Sequence, residues 1–79
     1  MSSFAEYYKQ NIGKKIKKYR LLNNLTQEQL SEMLDRNLKY IGHIERGERE
    51  ISTKSIIKLL QILKIQPSEF YNFEVNYKF

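Results

Sequence analysis

Four polar residues near the middle of the chain have the hydrogen-bonding groups and the spacing to hold phosphates or the edges of bases. Gln27 and Asn37 each stand where a helix is predicted to begin, and the N–H groups of a helix N-terminus bind phosphate. Lys39 and His43 are four residues apart, so on a helix they share one face. Lysine can donate to guanine O6 or N7, and histidine to a base or a phosphate. The predicted chemistry is recognition of a polyanion.

The composition leaves few means for catalysis. The chain has no cysteine and a single histidine, which excludes disulfides, thiolate zinc sites, cysteine nucleophiles and histidine-rich metal centres. Glu45 lies near no second plausible catalytic group in the sequence. We therefore predict that the protein is not an enzyme, and we expect no metal ion, no cofactor and no small-molecule ligand.

Size and charge favour one small domain that associates with itself. Seventy-nine residues, 41% of them hydrophobic, allow a single domain. Without a partner its net stability is only about 3–5 kcal/mol, so we expect a homodimer.

The formal net charge of the chain is +5; residues 1–20 carry +5, whereas residues 21–50 carry −2. The basic surplus is therefore N-terminal, and the total is weak support for any one partner.

The chain shows no membrane segment. The N-terminus has no apolar signal-peptide core, and the apolar-leaning stretch 56–65 is interrupted by Lys58, Gln61 and Lys64. We predict a cytoplasmic protein with no membrane partner.

Hydrophobic periodicity predicts an all-α chain of five helices. Apolar residues recur at spacings of three and four, the pattern of an amphipathic helix. The predicted helices cover residues 4–22, 27–34 and 38–46, then a fourth capped by Ser52 or Thr53 with Ile56, Leu59, Leu60 and Leu63 inward, and a fifth that Pro67 opens and that carries Phe70.

Capping residues mark several boundaries of these helices. Thr26 and Gln29 form a capping box at the start of the second helix. Asn37 is a favourable N-cap for the third helix. Gly47 suits the left-handed position that often follows a helix C-terminus.

Residues 73–79 change to a period of two. Alternation of apolar and polar residues fits a short half-buried strand or, equally, an extended tail packed on the domain. Aromatic side chains bury large areas and must pack somewhere. We predict that the fifth helix and this aromatic tail hold the dimer, through Phe70, Tyr71, Phe73, Tyr77 and Phe79.

Two short helices separated by three or four residues have the helix-turn-helix spacing. From here the sequence resembles the XRE family, the helix-turn-helix domains of Cro and phage-repressor type. The matching residues are Ile12–Arg20, Leu25–Leu30, Tyr40-Ile41 and Ile44–Gly47, continuing to Leu63 and Phe70. The resemblance implies a five-helix, lambda-repressor-like domain over residues 12–72, with residues 1–11 extending the first helix and residues 73–79 as the tail.

The resemblance also implies roles for particular residues. Residues matching Leu38, Lys39 and His43 face base edges in the major groove of DNA. Gln27 matches a residue that donates to a phosphate. Arg20 and Glu45 match a buried ion pair that ties the first helix to the recognition helix, residues 38–46.

Further phosphate contacts are predicted along the same surface. The predicted set is Thr26, Gln27, Asn37, Tyr40, Arg46 and Arg49.

Several of the residues predicted to contact DNA also have a simpler structural interpretation. Leu38 is equally a partly buried core residue, Tyr40 equally a cover for the core, and Lys39 and His43 can be solvated side chains.

Some residues depart from the family pattern. Asp35 replaces the usual turn glycine, and Arg36 replaces a small apolar residue. Asp tolerates the left-handed conformation at some cost. Glu48 and Glu50 follow the recognition helix, so they must point away from a DNA backbone. Their presence predicts a modest affinity for DNA at physiological salt.

Two functions are consistent with these observations. The first is a sequence-specific transcriptional regulator that binds a near-palindromic operator as a homodimer. Phage repressors and the controller proteins of restriction-modification systems share its compact size. The second is a protein-interaction module, an antitoxin-like or anti-repressor partner that uses the aromatic termini. The net charge of −2 over residues 21–50 keeps this second hypothesis open.

Overall fold

Capped helices account for the architecture of residues 3–74, the part of the chain that the computed structural model describes. The helices are α1 (Phe4–Leu22), α2 (Gln27–Met33), α3 (Tyr40–Glu45), α4 (Thr53–Leu63) and α5 (Pro67–Phe70). Within the described residues the structure is all-helical and contains no strand, as the periodicity predicts.

Side-chain caps fix the starts of three helices. Ser3 Oγ accepts a hydrogen bond from the Glu6 amide at the start of α1. The capping box of α2 is confirmed, with Thr26 and Gln29 bonding reciprocally to each other's backbone amide. Ser52, rather than Thr53, caps α4 through the amide of Ser55.

The recognition helix is shorter than predicted. It covers Tyr40–Glu45 rather than 38–46, because Leu38 and Lys39 lie in a turn. Asn37 forms this turn: its Oδ1 accepts from the Lys39 amide at 2.9 Å, and its carbonyl accepts from the Tyr40 amide. Asn37 is therefore a turn residue two positions before the N-cap, and its prediction as N-cap is wrong. Likewise α2 ends at Met33, one residue earlier than predicted.

Left-handed residues end the elements around the helix-turn-helix. Gly47, which follows the C-cap Arg46 of α3, has φ = +73°, as predicted. Asp35 has φ = +56° in the turn, so it adopts the left-handed conformation that favours glycine. Asn24 and Lys64 are also left-handed, at the ends of α1 and α4.

All five helices contribute to one apolar core. Its most buried members, each less than 2% exposed, include Ile16 of α1, Leu30 of α2, Ile41 of α3, Leu59 of α4 and Phe70 of α5. Phe70 is fully buried within the protomer. Its prediction as a dimer-interface residue is therefore wrong, because the core needs an apolar residue where α5 closes the domain.

Helix α1 lies unusually close to α3. A methyl group built on Gly13 would lie 2.7 Å from the Ile44 carbonyl oxygen and 2.8 Å from that of Glu45. These distances are shorter than van der Waals contact, so only glycine permits this separation. The close approach positions the recognition helix against α1.

The residues after α5 turn back onto α1. Phe73 packs edge-on against Tyr8, with ring centroids 6.5 Å apart, and is partly buried on the core. The Tyr7 hydroxyl donates to the Glu74 carbonyl at 2.6 Å. Residues 71–74 form no strand, and the predicted strand or tail beyond them, with Tyr77 and Phe79, lies outside the described residues.

Helix α5 is tied to α1 by a small polar cluster. The Glu69 carboxylate accepts hydrogen bonds from Lys15 Nζ at 3.0 Å and from the Tyr19 hydroxyl at 2.8 Å.

Over residues 3–74, none of these helices is both long and apolar enough to cross a bilayer.

Candidate nucleic-acid interface

A polar groove lies where α2 and α3 meet. Its walls are Gln27, Glu28, Leu38, Lys39, Gly42, His43 and Arg46, around a volume of about 400 Å³. The three residues predicted to read bases therefore lie together on one surface. Leu38 is 51% exposed, so it is not the partly buried core residue of the alternative interpretation.

The opposite side of α3 is fixed to the protein by the Glu45 carboxylate. Arg20 grips this carboxylate with two nitrogens, Nε at 2.6 Å and Nη2 at 3.0 Å, and its Nη1 donates to the Leu25 carbonyl. The side chains of Arg20 and Glu45 are only 8% and 4% exposed. The Glu45 carboxylate raises the pKa of the Arg20 guanidinium, so that guanidinium stays charged. The geometry matches the pair that the family resemblance implies.

Gln27 extends the same network towards the groove. Its Nε2 donates to Glu45 Oε1 at 3.0 Å, and its amide oxygen would lie 3.2 Å from a methyl group on Gly42. Gly42 thus leaves space for Gln27 to cross from α2 to α3. An amide nitrogen has two hydrogens, so Gln27 retains one donor, and its predicted phosphate contact stays a prediction.

A buried serine that no sequence pattern singled out joins α2 to α3. Ser31 is fully buried; its hydroxyl donates to the Gln27 carbonyl and accepts from the Ile41 amide at 3.0 Å. The bond satisfies an amide in the first turn of α3, which has no side-chain cap. A small polar residue next to the buried Leu30 was the available signal.

Two arginine side chains make cation–π contacts with the Tyr40 ring. The guanidinium carbons of Arg36 and Arg49 lie 4.1 and 4.8 Å from its centroid. Tyr40 is only 2% exposed, so its ring covers the core, and its hydroxyl accepts from the Ser52 amide at 3.2 Å. Burial acts to raise the pKa of Tyr40, but donation from Ser55 and Ser52 outweighs it and lowers that pKa.

The loop after α3 reaches back to the groove through Glu48. One carboxylate oxygen, Oε1, lies 2.9 Å from His43 Nδ1 and 3.1 Å from Arg46 Nε. Hydrogen bonds from Arg46 and His43 hold the pKa of Glu48 below its ordinary value. Glu48 therefore turns towards the helix rather than simply away from DNA, a contact that the sequence pattern did not predict.

Ion pairs also offset negative charge in the helix-turn-helix segment, residues 21–50. Asp35 accepts from Lys58 Nζ at 2.7 Å, and this bond holds the pKa of Asp35 below its ordinary value. Glu45 and Glu48 are paired with arginines as described. Two of these basic partners, Arg20 and Lys58, lie outside residues 21–50 and so offset the net charge of −2 of that segment, which weakens the charge argument for an interaction module.

Together these features define a helix-turn-helix DNA-binding domain: a recognition helix held on its inner side and polar on its outer side. A family model described as Helix-turn-helix matches residues 16–70. The chain belongs to this family of DNA-binding transcriptional regulators.

Named relatives are control proteins. The chain is 37% identical over 63 residues to Control protein C.BamHI of Bacillus amyloliquefaciens, covering 78% of each chain. It is 38% identical over 55 residues to Control protein C.SmaI of Serratia marcescens, covering 70% of this chain but only 66% of the relative's length. The fold is similar to the crystal structure of the restriction-modification controller protein C.AhdI from Aeromonas hydrophila, with a TM-score of 0.74, 31% identity, and coverage of 82% of this chain and 98% of the other.

Proposed function

We propose that this protein is a restriction-modification controller that binds a near-palindromic operator as a homodimer and regulates transcription. The observation that carries the proposal is the two-sided recognition helix. Its inner side is fixed by Glu45 and Ser31, while Leu38, Lys39 and His43 lie together on the outer groove. Similarity to C.BamHI and C.AhdI supports the controller role. Cytoplasmic action is part of the proposal, because the DNA lies there.

In this proposal Lys39 and His43 hydrogen-bond to base edges, and Leu38 contacts a thymine methyl group. The turn that Asn37 forms presents Leu38 and Lys39 just before α3 begins. A turn residue at the helix start can enter the groove ahead of the helix. The shorter α3 is therefore compatible with the base-reading roles.

Phosphate contacts flank this reading surface. We assign them to Thr26, Gln27, Asn37, Tyr40, Arg46 and Arg49. Arg49 is the best supported, because Tyr40 holds its guanidinium at the side of α3. Arg46 is half-exposed on the groove wall. Tyr40 would contact a phosphate only by donating its single hydroxyl hydrogen, since its ring is buried.

The dimer would place two recognition helices about 34 Å apart, one turn of DNA. For its interface we retain Tyr71 and Phe73, together with Tyr77 and Phe79. Tyr71 is 43% exposed beside the buried Phe70, with ring centroids 5.1 Å apart. An exposed aromatic residue anchored on the core supports an apolar contact between protomers.

Selection of bound sequences from a random pool of duplex DNA tests the proposal. We expect enrichment of a two-fold symmetric site with half-sites about 10 base pairs apart. The Lys39→Ala variant should lose preference at one position of each half-site. Lys17→Ala is the matched control, because it removes the same charge from the exposed face of α1. A pool that remains random after selection with the wild-type protein would contradict the proposal.

A further inference from the structure

Glu48 contacts the one histidine of the chain in a way that constrains the imidazole. Its Oε1 lies 2.9 Å from His43 Nδ1, and Arg46 Nε lies 3.1 Å from the same oxygen. His43 and Glu48 are 42% and 52% exposed, so both side chains stand at the surface. The three residues form a cluster across the end of α3 and the following loop.

The chemistry of the carboxylate decides which ring nitrogen carries hydrogen. An ionised carboxylate only accepts, so a hydrogen bond at 2.9 Å requires hydrogen on Nδ1. Arg46 Nη2 also lies 3.3 Å from Nδ1, but a guanidinium only donates and cannot bond to a protonated nitrogen. The carboxylate contact is shorter, and Arg46 itself also bonds to Glu48. The contacts therefore favour the Nδ1–H tautomer.

That tautomer changes what His43 offers at the groove. With hydrogen on Nδ1, a neutral ring has a lone pair on Nε2, which is then a hydrogen-bond acceptor. In the major groove, the donors are the amino groups of adenine and cytosine, whereas guanine and thymine present keto acceptors. An acceptor on His43 therefore discriminates between amino-bearing and keto-bearing bases on the strand that it faces.

We propose that Glu48 is a positioning residue for sequence specificity, which makes His43 read adenine or cytosine rather than guanine or thymine. The inference rests on the proposed function, since it concerns the DNA site that the groove binds. It adds a readout that does not need DNA: the tautomer of the imidazole in the free protein.

Nitrogen-15 NMR of the free protein tests the first half of the proposal. His43 is the sole histidine, so one pair of ring resonances reports on it. At about pH 8.5, where imidazole is ordinarily neutral, we expect the Nδ1–H tautomer in the wild-type protein. Glu48→Ala should shift the ring towards Nε2–H, and Glu48→Gln, whose amide oxygen still accepts, should preserve more of the Nδ1–H form. An unchanged tautomer in Glu48→Ala would overturn the proposal.

Binding to operator variants tests the second half. The position read by His43 is the one where His43→Ala abolishes preference, and all four bases are then placed there. We expect wild-type protein to favour adenine and cytosine by about tenfold, and Glu48→Ala to lose most of this ratio. The ratio is the readout, because removing a negative charge also raises affinity for every sequence. Glu32→Ala removes a charge from an exposed site on α2 and should keep the ratio.

The outcomes separate the two proposals. Operator binding with a wild-type ratio in Glu48→Ala would overturn the role of Glu48 alone. A wild-type preference for guanine or thymine at this position would do the same. Lack of any sequence preference in the wild-type protein would overturn the proposed function and this inference with it.

Discussion

At the scale of single residues, Glu45 joins the stability of the domain to the position of its reading surface. Its carboxylate accepts from Arg20 of α1 and from Gln27 of α2, while its own backbone belongs to α3. Hydrogen bonds to a charged acceptor are about twice as strong as neutral ones and hold a narrow geometry. One buried side chain therefore orients α3 against two other helices.

Replacing Arg20 by Met should destabilise the domain by about 3–5 kcal/mol, because it leaves the Glu45 carboxylate buried without its cation. That loss is comparable to the whole net stability of about 3–5 kcal/mol expected for so small a domain. Urea denaturation followed by circular dichroism measures it. The double variant Arg20→Met/Glu45→Met should recover much of the loss, since no unpaired charge remains. A single variant as stable as the wild type would contradict this interpretation.

Replacing Arg49 by Ala should weaken binding to all DNA sequences by a similar factor, because a phosphate contact carries no base information. The slope of log affinity against log salt concentration should fall by about 1. Lys64→Ala, the same charge change at the exposed end of α4, serves as the control. A variant whose sequence preference changed while its salt slope did not would show that Arg49 reads bases instead.

At the scale of elements, the helix-turn-helix depends on backbone contacts in addition to side-chain packing. Gly13 lets the backbones of α1 and α3 approach, and Ser31 supplies a hydrogen bond to α3 from α2. Both residues are small, and both contact backbone atoms of α3. The position of the recognition helix is therefore set by backbone contacts as well as by the apolar core.

Gly13→Ala tests the close approach by the sign of its effect. In an ordinary helix interior this change stabilises by about 1 kcal/mol. Here the added methyl group would lie 2.7 Å from a backbone oxygen, so we expect a loss of about 1–3 kcal/mol and weaker DNA binding. Lys14→Ala, at an exposed position of the same helix, controls for helix propensity in the denaturation measurement. A stabilised Gly13→Ala protein would show that α1 and α3 can separate without cost.

Glu69 should make the attachment of α5 sensitive to acid. Hydrogen bonds from Lys15 and Tyr19, with the charge of Lys15, hold the pKa of Glu69 below its ordinary value. A carboxyl whose pKa is lower in the folded chain than in the unfolded chain stabilises the fold when the pH is above the unfolded-state pKa. This contribution is lost as the pH falls through the folded-state pKa. Glu69→Gln should therefore lose less stability than wild type between about pH 6 and pH 3. Glu32→Gln is the control, and equal acid sensitivity in Glu69→Gln and wild type would contradict the assignment.

The sequence predicts most of the elements because their signals are local. The capping box at Thr26 and the left-handed Gly47 depend only on neighbouring residues, and both are confirmed. The predicted start of α3 is wrong by two residues. An asparagine side chain can cap a helix or form a turn with the same oxygen, and Asn37 forms a turn.

Tertiary contacts explain the remaining differences. The sequence shows that Phe70 is apolar, but not whether it faces the core or a second chain. Glu48 looks like an obstacle to DNA in sequence, whereas the loop after Gly47 folds it onto His43. The contacts of Glu48 depend on chain geometry that no local pattern encodes.

At the scale of the whole molecule, small size and DNA binding both favour self-association. The core is one cluster that α5 closes with Phe70, and the residues that follow return to α1 through Phe73 and Tyr8. Burial, and to a smaller extent a hydrogen bond with Tyr71, raises the pKa of Tyr8 to about 12. The Tyr8 hydroxyl therefore keeps its hydrogen throughout the physiological pH range. The segment after α5 is thus held in place on one side, while Tyr71 is half-exposed on the other.

Tyr71→Ser should shift the protein towards monomer and weaken operator binding with it, because two half-sites are then no longer bound together. Sedimentation velocity over a range of concentrations measures the shift. Leu22→Ser is the control: Leu22 is 66% exposed at the end of α1 and is not among the residues of the proposed interface. Dimers that dissociate in Leu22→Ser but not in Tyr71→Ser would place the interface elsewhere.

The inner side of α3 holds the helix in the domain and the outer side faces the groove. This separation makes the protein a suitable scaffold for changing DNA sequence specificity. Glu45, Ile41 and Ile44 hold the helix from within, whereas Lys39 and His43 contribute nothing to the core. The outer residues can therefore be exchanged as a set while the inner ones stay constant. A library varied at the outer positions, together with Glu48, would yield regulators that share one fold and bind different operators.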